Sequence, residues 1–373
     1  MDEVPNSIIK LEQVNAGLAG VVDRDRILEL NKLEYGPSDI LATHTDFTWR
    51  CDQNPAGKAI IPAIRDSQGH VVGSIWIVPL RIRFNKQIYL AATGTNLVIK
   101  PEYRNTFAFI KLIRRFEQVF EEASIPLHFS FVSEKKYQQL LKSKSKCIST
   151  IPLLAKPLNF RPFAQTYFAS GWRRFVVSRI GQPLSPFLFR QRSIIPSKEI
   201  TIQQIYQFDE KFDNFWRQVQ DKYPVMVIRD QAFLKWRFSK LSGRDYYSLA
   251  AWAGRQILGY IVLRCSTIHG VKTGLIMDLL VADSKLGQIA GTHLLAEAET
   301  HFRIQQMSVA AALMPSFSVE YPILRRCGYI YVPEAFSPRP FRFAFFVHDL
   351  DNKDLMLLPG RNWFVTMADH ESH

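Results

Sequence analysis

The first half of the chain alternates between helix-like and strand-like hydrophobic patterns. Apolar residues at helical spacing follow Asp23 and Asp25, and either carboxylate is a suitable helix cap. Apolar, strand-like runs on both sides of a polar turn at 66–69 predict a hairpin. In order, the predicted elements are a strand (8–14), a helix (27–33), two hairpin strands (59–65 and 71–78), a strand ending at 97–99, a helix (107–120), a strand (127–132) and a helix (134–142).

The second half repeats this order of elements. A glycine, Gly328, follows the last predicted helix, where a helix end needs a left-handed residue. The predicted elements are a helix (208–219), hairpin strands (247–252 and 257–264), a strand (275–281), a helix (291–302), a strand (308–313) and a helix (319–326).

Several positions match between the halves at a nearly constant offset. The dipeptide beginning at Trp49 recurs at Trp236, 187 residues later, and Gly73 recurs as Gly259, 186 residues later. Each glycine lies within an apolar run. An ordered set of matches with a slowly drifting offset favours one domain used twice.

A chain of 373 residues is long enough for two domains. The predicted boundaries are an N-terminal domain at 1–150, a linker at 151–199 rich in proline, phenylalanine and arginine, a C-terminal domain at 200–347, and a tail at 348–373. The four cysteines are scattered, and the nine histidines show no metal-ligand spacing, so we expect no metal. The apolar runs are too short for a transmembrane span, and no signal peptide is evident, which favours a cytoplasmic protein.

The net charge of +13 is concentrated in one stretch. Between Lys135 and Lys198 there are 13 lysines and arginines and no acidic residue. Such a field favours an anionic partner, such as an acyl carrier protein, tRNA or a membrane surface, and peripheral membrane association is then an alternative. A solvated linker is the simpler interpretation of the same stretch.

Two segments resemble the GNAT acyltransferase superfamily. Residues 97–105, Leu-Val-Ile-Lys-Pro-Glu-Tyr-Arg-Asn, look like the family's strand, turn and helix start, and residues 321–329 look like its closing helix and Gly-aromatic strand entry. The tail at 360–369 resembles the ending of bacterial tandem GNAT proteins whose acceptor is unassigned. The resemblance implies an α/β fold of two tandem GNAT-like domains, each a mixed, mostly antiparallel sheet flanked by helices.

The resemblance also implies a site for acetyl-CoA or another acyl-CoA. The family binds the pyrophosphate with Arg/Gln-x-x-Gly-x-Gly/Ala at a helix N-terminus, where free N–H groups and the dipole favour anions. The first copy keeps the arginine but has phenylalanine at both glycine positions, and the second copy keeps only Gly291. We therefore place the expected cofactor-binding residues in the first copy: Leu97, Val98, Ile99, Arg104, Asn105, Thr106, Phe107, Ala108 and Phe109.

The expected catalytic residues are Tyr137, Asp278 and Tyr321. In the family a tyrosine protonates the leaving thiolate and a carboxylate near the fourth strand accepts the amine proton, directly or through water. Because the donor turn and the strand carboxylate lie in different copies, a composite site between the domains is one resolution. Alternatively, Asp278 is a buried carboxylate satisfied by backbone or by an arginine, and each tyrosine is a core residue.

The leading hypothesis is an acyl-CoA-dependent N-acyltransferase, with acetyl as the expected acyl group, acting on an amine acceptor that the sequence does not identify. Two alternatives remain open. The first is an aminoacyl-tRNA-dependent peptidyl transferase of related tandem fold, for which the basic stretch would contact tRNA phosphates. The second is a non-catalytic GNAT-like module that binds an anionic partner or a membrane surface.

Overall fold

The computed structural model describes residues 14–104, 106–132, 148–159, 197–337, 339–356 and 362–370. The chain divides into two compact units. Unit 1 comprises Met1–Ser130, Leu241–Gly243 and Ala344–Leu358, and unit 2 comprises Phe131–Lys240, Arg244–Phe343 and Pro359–His373.

The described residues form a mixed α/β protein. The helices are α1 (Arg24–Tyr35), α2 (His44–Phe47), α3 (Thr106–Glu122), α4 (Glu210–Val219), α5 (Gln231–Arg237), α6 (Lys285–Ile304), α7 (Glu320–Arg326) and α8 (Lys353–Met356). The strands are β1 (Asn15–Leu18), β2 (Pro62–Arg65), β3 (Val71–Phe84), β4 (Gln87–Ile99), β5 (Leu127–Val132), β6 (Ile148–Thr150), β7 (Leu153–Pro157), β8 (Thr201–Ile205), β9 (Val225–Val227), β10 (Tyr247–Ala253), β11 (Gln256–Ile268), β12 (Val271–Val281), β13 (Val309–Leu313), β14 (Ile330–Tyr331), β15 (Arg342–Val347) and β16 (Trp363–Phe364).

The sheet of unit 1 has the strand order β1-β2-β3-β4-β5-β15. Strands β1 to β4 are antiparallel, whereas β4 and β5 are parallel. The apolar face of α3, including Leu112 and Phe116, packs on one face of this sheet beside Ile75 and Ile77. This packing fixes the start of α3 directly after the end of β4.

The sheet of unit 2 has the order β14-β7-β13-β12-β11-β10-β8. Its central strands are antiparallel except for the parallel pair β12 and β13. Helix α6 packs on one face, where a Cβ added to Gly274 of β12 would come within 2.4 Å of the Phe302 ring. Strand β16, near the end of the chain, lies parallel to β9 in the same unit.

Each unit contains a strand from the other half of the sequence. Unit 1 includes residues 344–347 of β15, from near the end of the chain, and unit 2 includes β7, which precedes all its other sheet strands. Strand β7 lies within the stretch predicted as a linker and pairs with β13 along its whole length. Because of this exchange, neither half of the sequence contains a complete sheet.

The structure confirms the predicted fold class and most predicted elements. The hairpin forms as β2 and β3, the long helix forms as α3, and Gly328 has a left-handed φ of 89° after α7. Asp23 is at the N-cap position of α1, but its carboxylate accepts hydrogen bonds from Arg65 at 2.7 and 2.8 Å. The predicted helix 134–142 and residues 8–13 of the first predicted strand lie outside the described residues. Among the helices described, none is long and apolar enough to cross a membrane.

Candidate functional site

Strands β4 and β12 are each interrupted by a bulge in their second half. In unit 1, Ser74 lies opposite Val98 and Trp76 opposite Thr95, so β4 has one extra residue between these pairs. In unit 2, Val262 lies opposite Asp278 and Leu263 opposite Ile276, which makes Met277 the extra residue of β12. A bulge breaks the hydrogen-bond ladder and redirects the strand.

The same strands separate from their parallel neighbours after a short paired region. Strand β4 pairs with β5 at Ala92 and Thr93, and β12 pairs with β13 from Thr273 to Ile276. Beyond these pairs, no strand among the described residues pairs with the last residues of β4 and β12 on that side. Backbone N–H groups in such a gap need another acceptor.

A helix begins just after each of these strand ends. In unit 1, a turn at Pro101–Tyr103 leads into α3, and in unit 2 Ser284 caps α6 by accepting from the Gly287 N–H at 3.0 Å. A Cβ at Gly287 would lie 2.3 Å from the Ala282 carbonyl oxygen, so this position requires glycine. Both helix N-termini therefore lie beside a strand gap, an arrangement that suits an anionic ligand.

The expected cofactor-binding residues occupy the end of β4 and the first turn of α3. Arg104 closes the turn, because its Nε donates to the Ile99 carbonyl at 2.7 Å and its guanidinium pairs with Glu34. Phe107 and Phe109 are 61% and 46% exposed, so their phenyl rings extend towards solvent and are not packed in the interior beside the first turn of α3. Of the remaining expected residues, Val98, Ile99 and Ala108 are buried, Leu97 is exposed, and Asn105 and the side chain of Thr106 lie outside the described part of the chain.

In unit 2, side chains fill the gap beside β12. The buried carboxylate of Glu320 accepts from the Val281 N–H at 3.1 Å and from Lys222 Nζ at 2.7 Å. The Tyr223 hydroxyl also donates to Glu320, and burial together with this carboxylate raises the pKa of Tyr223. The backbone group that the gap exposes is therefore satisfied from within the protein.

Asp278 belongs to a fully buried network that joins β12 to the tail. Its Oδ2 accepts from Arg229 Nε at 3.0 Å and from the Tyr260 hydroxyl at 2.7 Å, and its Oδ1 accepts from the Thr366 hydroxyl at 2.9 Å. Arg229 also pairs with Asp369 at 2.7 Å. Burial opposes the charge of Arg229, but the two carboxylates outweigh it and raise the pKa of this guanidinium.

This network includes four residues that sequence reasoning missed, namely Arg229, Tyr260, Thr366 and Asp369. The signal for a partner was the carboxylate of Asp278 inside an apolar strand, because a buried charge requires an opposite charge. The identity of the partners was not readable, since Arg229 is 49 residues away and Thr366 is 88 residues away.

Of the other two expected catalytic residues, the structure describes only Tyr321. Tyr321 is half-buried in the first turn of α7, and its N–H donates to Ser318 Oγ at 3.2 Å. Tyr137 lies outside the described residues. Across the described ranges no hydrogen bond joins Tyr321 to Asp278, and no cluster of three or more His, Cys, Asp or Glu side chains is placed to hold a metal ion.

Three buried polar groups follow β3 and β4 around the bulge of unit 1. Ser74 and Trp76 lie on one face of β3, and Asn96, with a left-handed φ of 49°, lies in the bulge itself. Ser74 Oγ, Trp76 Nε1 and Asn96 Nδ2 have no hydrogen-bond partner within the described structure. All three groups are potential donors, and none has an acceptor within the described structure.

Most of the predicted basic stretch, residues 135–198, also lies outside the described residues. Lys156 is an exception, since it is buried in β7 and its Nζ contacts both oxygens of Glu299 at 2.7 Å. Its Nζ also donates to the Cys327 carbonyl at 2.7 Å. This lysine stabilises the interior of unit 2 and does not contribute to a surface for an anionic partner.

Solved structures with the same fold cover most of this chain. A probable N-acyltransferase of unknown function from Enterococcus faecalis V583 has a TM-score of 0.60 at 11% identity, covering 90% of this chain and 73% of its own. A GCN5-related N-acetyltransferase from Anabaena variabilis ATCC 29413 has a TM-score of 0.59 at 13% identity, with the same coverages. Saccharomyces cerevisiae N-myristoyltransferase with bound myristoyl-CoA has a TM-score of 0.56 at 11% identity, covering 89% of this chain and 78% of its own.

Comparisons of sequence alone give no such match. No family profile matches the chain, and no curated protein matches it. At identities of 11–13%, the structural similarity establishes the fold and leaves the chemistry to be argued from the site.

Proposed function

Because the chain has the fold of the GNAT superfamily, we propose that it is an acyl-CoA-dependent N-acyltransferase whose donor site lies in unit 1. The site consists of the end of β4, the bulge at Asn96 and the first turn of α3. The acceptor is an amine, and acetyl is the proposed acyl group, as the resemblance implies.

The observation that carries this proposal is the contrast between the two strand gaps. In unit 2, Glu320 covers the N–H of Val281. In unit 1, the Lys100 N–H donates to the Val72 carbonyl of β3 at 2.8 Å. Because the N–H groups of successive residues point to opposite sides of a strand, the Ile99 N–H points away from β3, towards the gap. By the offset of 184 residues that relates Tyr137 to Tyr321, Lys136 matches Glu320, so the matching sequence position holds a lysine instead of a carboxylate.

The proposed roles follow from the charge that develops during acyl transfer. The pyrophosphate would lie at the N-terminus of α3, where the backbone N–H groups are available because the phenyl rings of Phe107 and Phe109 are directed outwards. The thioester oxygen would lie near the bulge, where Trp76 and Asn96 supply donors for its developing negative charge. Tyr137 remains the proposed acid for the leaving thiolate, by resemblance to the family.

Two further residues from the sequence prediction have less support as catalysts. Asp278 is already engaged by Arg229, Tyr260 and Thr366, which favours a structural role for its carboxylate. A catalytic role for Tyr321, and a composite site that combines groups of both copies, remain proposals. The tRNA-dependent and non-catalytic alternatives rest on the basic stretch and stay predictions.

Calorimetric titration with acetyl-CoA tests the location of the donor site. A glutamate near a helix N-terminus favours the helix but repels phosphate, so Phe107→Glu should weaken binding by about tenfold or more while the protein stays folded. Lys285→Glu places the same charge at the start of α6 and is the matched control, with an expected change of less than about twofold. Equal effects of both variants, or an effect of Lys285→Glu alone, would contradict a donor site in unit 1.

A further inference from the structure

Unit 2 contains an apolar pocket on the sheet face opposite α6. The pocket has a volume of about 280 Å³ and extends over β7, β13 and β12. Side chains alternate along a strand, so Ala155, Val271, Leu275 and Ala311 line the pocket, while Lys156 and Gly274 belong to the face beneath α6. From Val271 to Leu275 the floor is about 13 Å long at the usual strand rise.

The rim of this pocket exposes several large apolar side chains. Phe336 is 67% exposed, and Ile330 and Tyr331 are more than 40% exposed. All three are among the residues that line the pocket. An apolar pocket whose rim is also apolar is typical of a site that binds a hydrophobic ligand.

An arginine with a buried, unpartnered nitrogen lies at one end of the same sheet face. Arg264 of β11 is directly opposite Leu275, which lines the pocket, so its Cβ is about 5 Å from that of Leu275. The Nη1 atom of Arg264 is buried and has no hydrogen-bond partner in the part of the chain that the structure describes. A buried N–H group without an acceptor is costly, and an anion beside Nη1 would relieve the cost.

The surroundings of Arg264 are also electropositive. Burial lowers the pKa of Arg264, and the nearby guanidiniums of Arg244 and Arg237 lower it further, while Tyr246 acts in the opposite direction. Arg237 donates to the Tyr246 hydroxyl at 3.2 Å and to the His370 carbonyl at 3.1 Å. The cluster therefore attracts negative charge to the end of the pocket.

We propose that unit 2 binds a medium-chain aliphatic carboxylate, with its hydrocarbon tail in the apolar pocket and its carboxylate at Arg264. The pocket lies on the face away from α6, and the site shares no residue with the proposed donor site of unit 1. This carboxylate site is therefore separate from acyl transfer and can exist whether or not unit 1 binds acyl-CoA.

Calorimetry on the full chain with octanoate, decanoate, dodecanoate and decanol tests this proposal. Each added methylene should tighten binding by about fourfold until the pocket is filled. Decanol should bind at least about tenfold more weakly than decanoate, because it lacks the charge that Arg264 accepts. Equal binding of decanol and decanoate would overturn the assignment of the head group.

Two variants and a control locate the site. Arg264→Gln should reduce decanoate binding to the level of decanol while leaving decanol binding unchanged, a comparison that stays valid if the variant is less stable. Ala311→Phe should abolish binding of both ligands by filling the pocket, whereas Thr267→Phe, at an exposed position of β11, should leave both unchanged. Decanoate binding that persists in Ala311→Phe would overturn the pocket assignment.

Vesicles of phosphatidylglycerol distinguish a free carboxylate from a lipid surface. The proposal expects decanoate to bind in the absence of vesicles, and Ala311→Phe to leave any vesicle association unchanged. Binding to vesicles without binding of any free carboxylate would overturn the proposal in favour of a membrane-facing patch. Loss of acetyl-CoA binding in Phe107→Glu would be unrelated to either result.

Discussion

The ends of β4 and β12 have the same backbone design but differ in how their polar groups are satisfied. Both strands have a bulge, separate from a parallel neighbour and precede a helix. At β12, buried charges on Glu320 and Asp278 are paired with partners inside unit 2. At β4, three buried donors around the bulge have no partner within the described residues. The charged groups at β12 therefore stabilise unit 2, and the unpartnered donors at β4 are the reason why we propose a ligand site in unit 1.

The largest expected difference between the two strands is in their contribution to stability. Asp278→Ala leaves Arg229 as a buried charge with one carboxylate fewer, so it should lower the free energy of unfolding by about 3–5 kcal/mol. Thr95→Ala at the bulge of β4 should cost less than about 1.5 kcal/mol, because it removes one weak hydrogen bond. Urea denaturation of both variants measures the difference, and similar costs would contradict the contrast.

The second-largest expected effect is the loss of stability when Glu320, whose carboxylate fills the gap beside β12, is replaced. Glu320→Gln keeps the size of the side chain but weakens its bonds to Lys222 and Val281, so we expect a loss of about 1.5–3 kcal/mol in stability. Its affinity for acetyl-CoA should stay unchanged, since the proposed donor site is in unit 1. A gain of acetyl-CoA binding in this variant would show that unit 2 has a donor site that Glu320 blocks.

A smaller effect should appear as pH dependence in unit 1. His348 bonds to His128 at 2.7 Å and stacks on Phe120, and burial lowers its pKa from 6.5 to about 4. The unfolded chain therefore takes up the proton first, and stability should decline as the pH falls from about 6.5 to about 4. His348→Phe keeps the stacking and should flatten this part of the stability profile. An unchanged profile in the variant would assign the decline to other groups.

Local pattern was sufficient for elements whose partners are near in sequence. The turn at 66–69 fixed the hairpin of β2 and β3, and the apolar face of residues 107–120 predicted α3. The exchange of β7 and β15 was not predictable in this way, because β7 pairs with β13, more than 150 residues later. The local composition of β7 favoured a linker, and only the long-range pairing makes it a strand.

Prediction of the candidate site was limited in the same way, because its contacts also join residues that are far apart in the sequence. The sequence identified Asp278 as an exceptional carboxylate, but whether it serves catalysis or packing depends on Arg229 and Thr366, which the fold brings to it. The bulge at Asn96 was invisible for a similar reason, since a bulge is a difference in register between two strands. Arg104 was predicted by resemblance and stays a prediction as a binding residue, and its contacts with Ile99 and Glu34 became apparent only in the structure.

Amide hydrogen exchange with and without acetyl-CoA tests the central contrast most directly. We predict that acetyl-CoA slows exchange at Ile99 and in the first turn of α3, because these N–H groups would bind the ligand. Exchange at Val281 and at the start of α6 should not change, since Glu320 and Ser284 already hold these groups. Protection at Val281 and α6 without protection at Ile99 would contradict the account and place the donor site in unit 2.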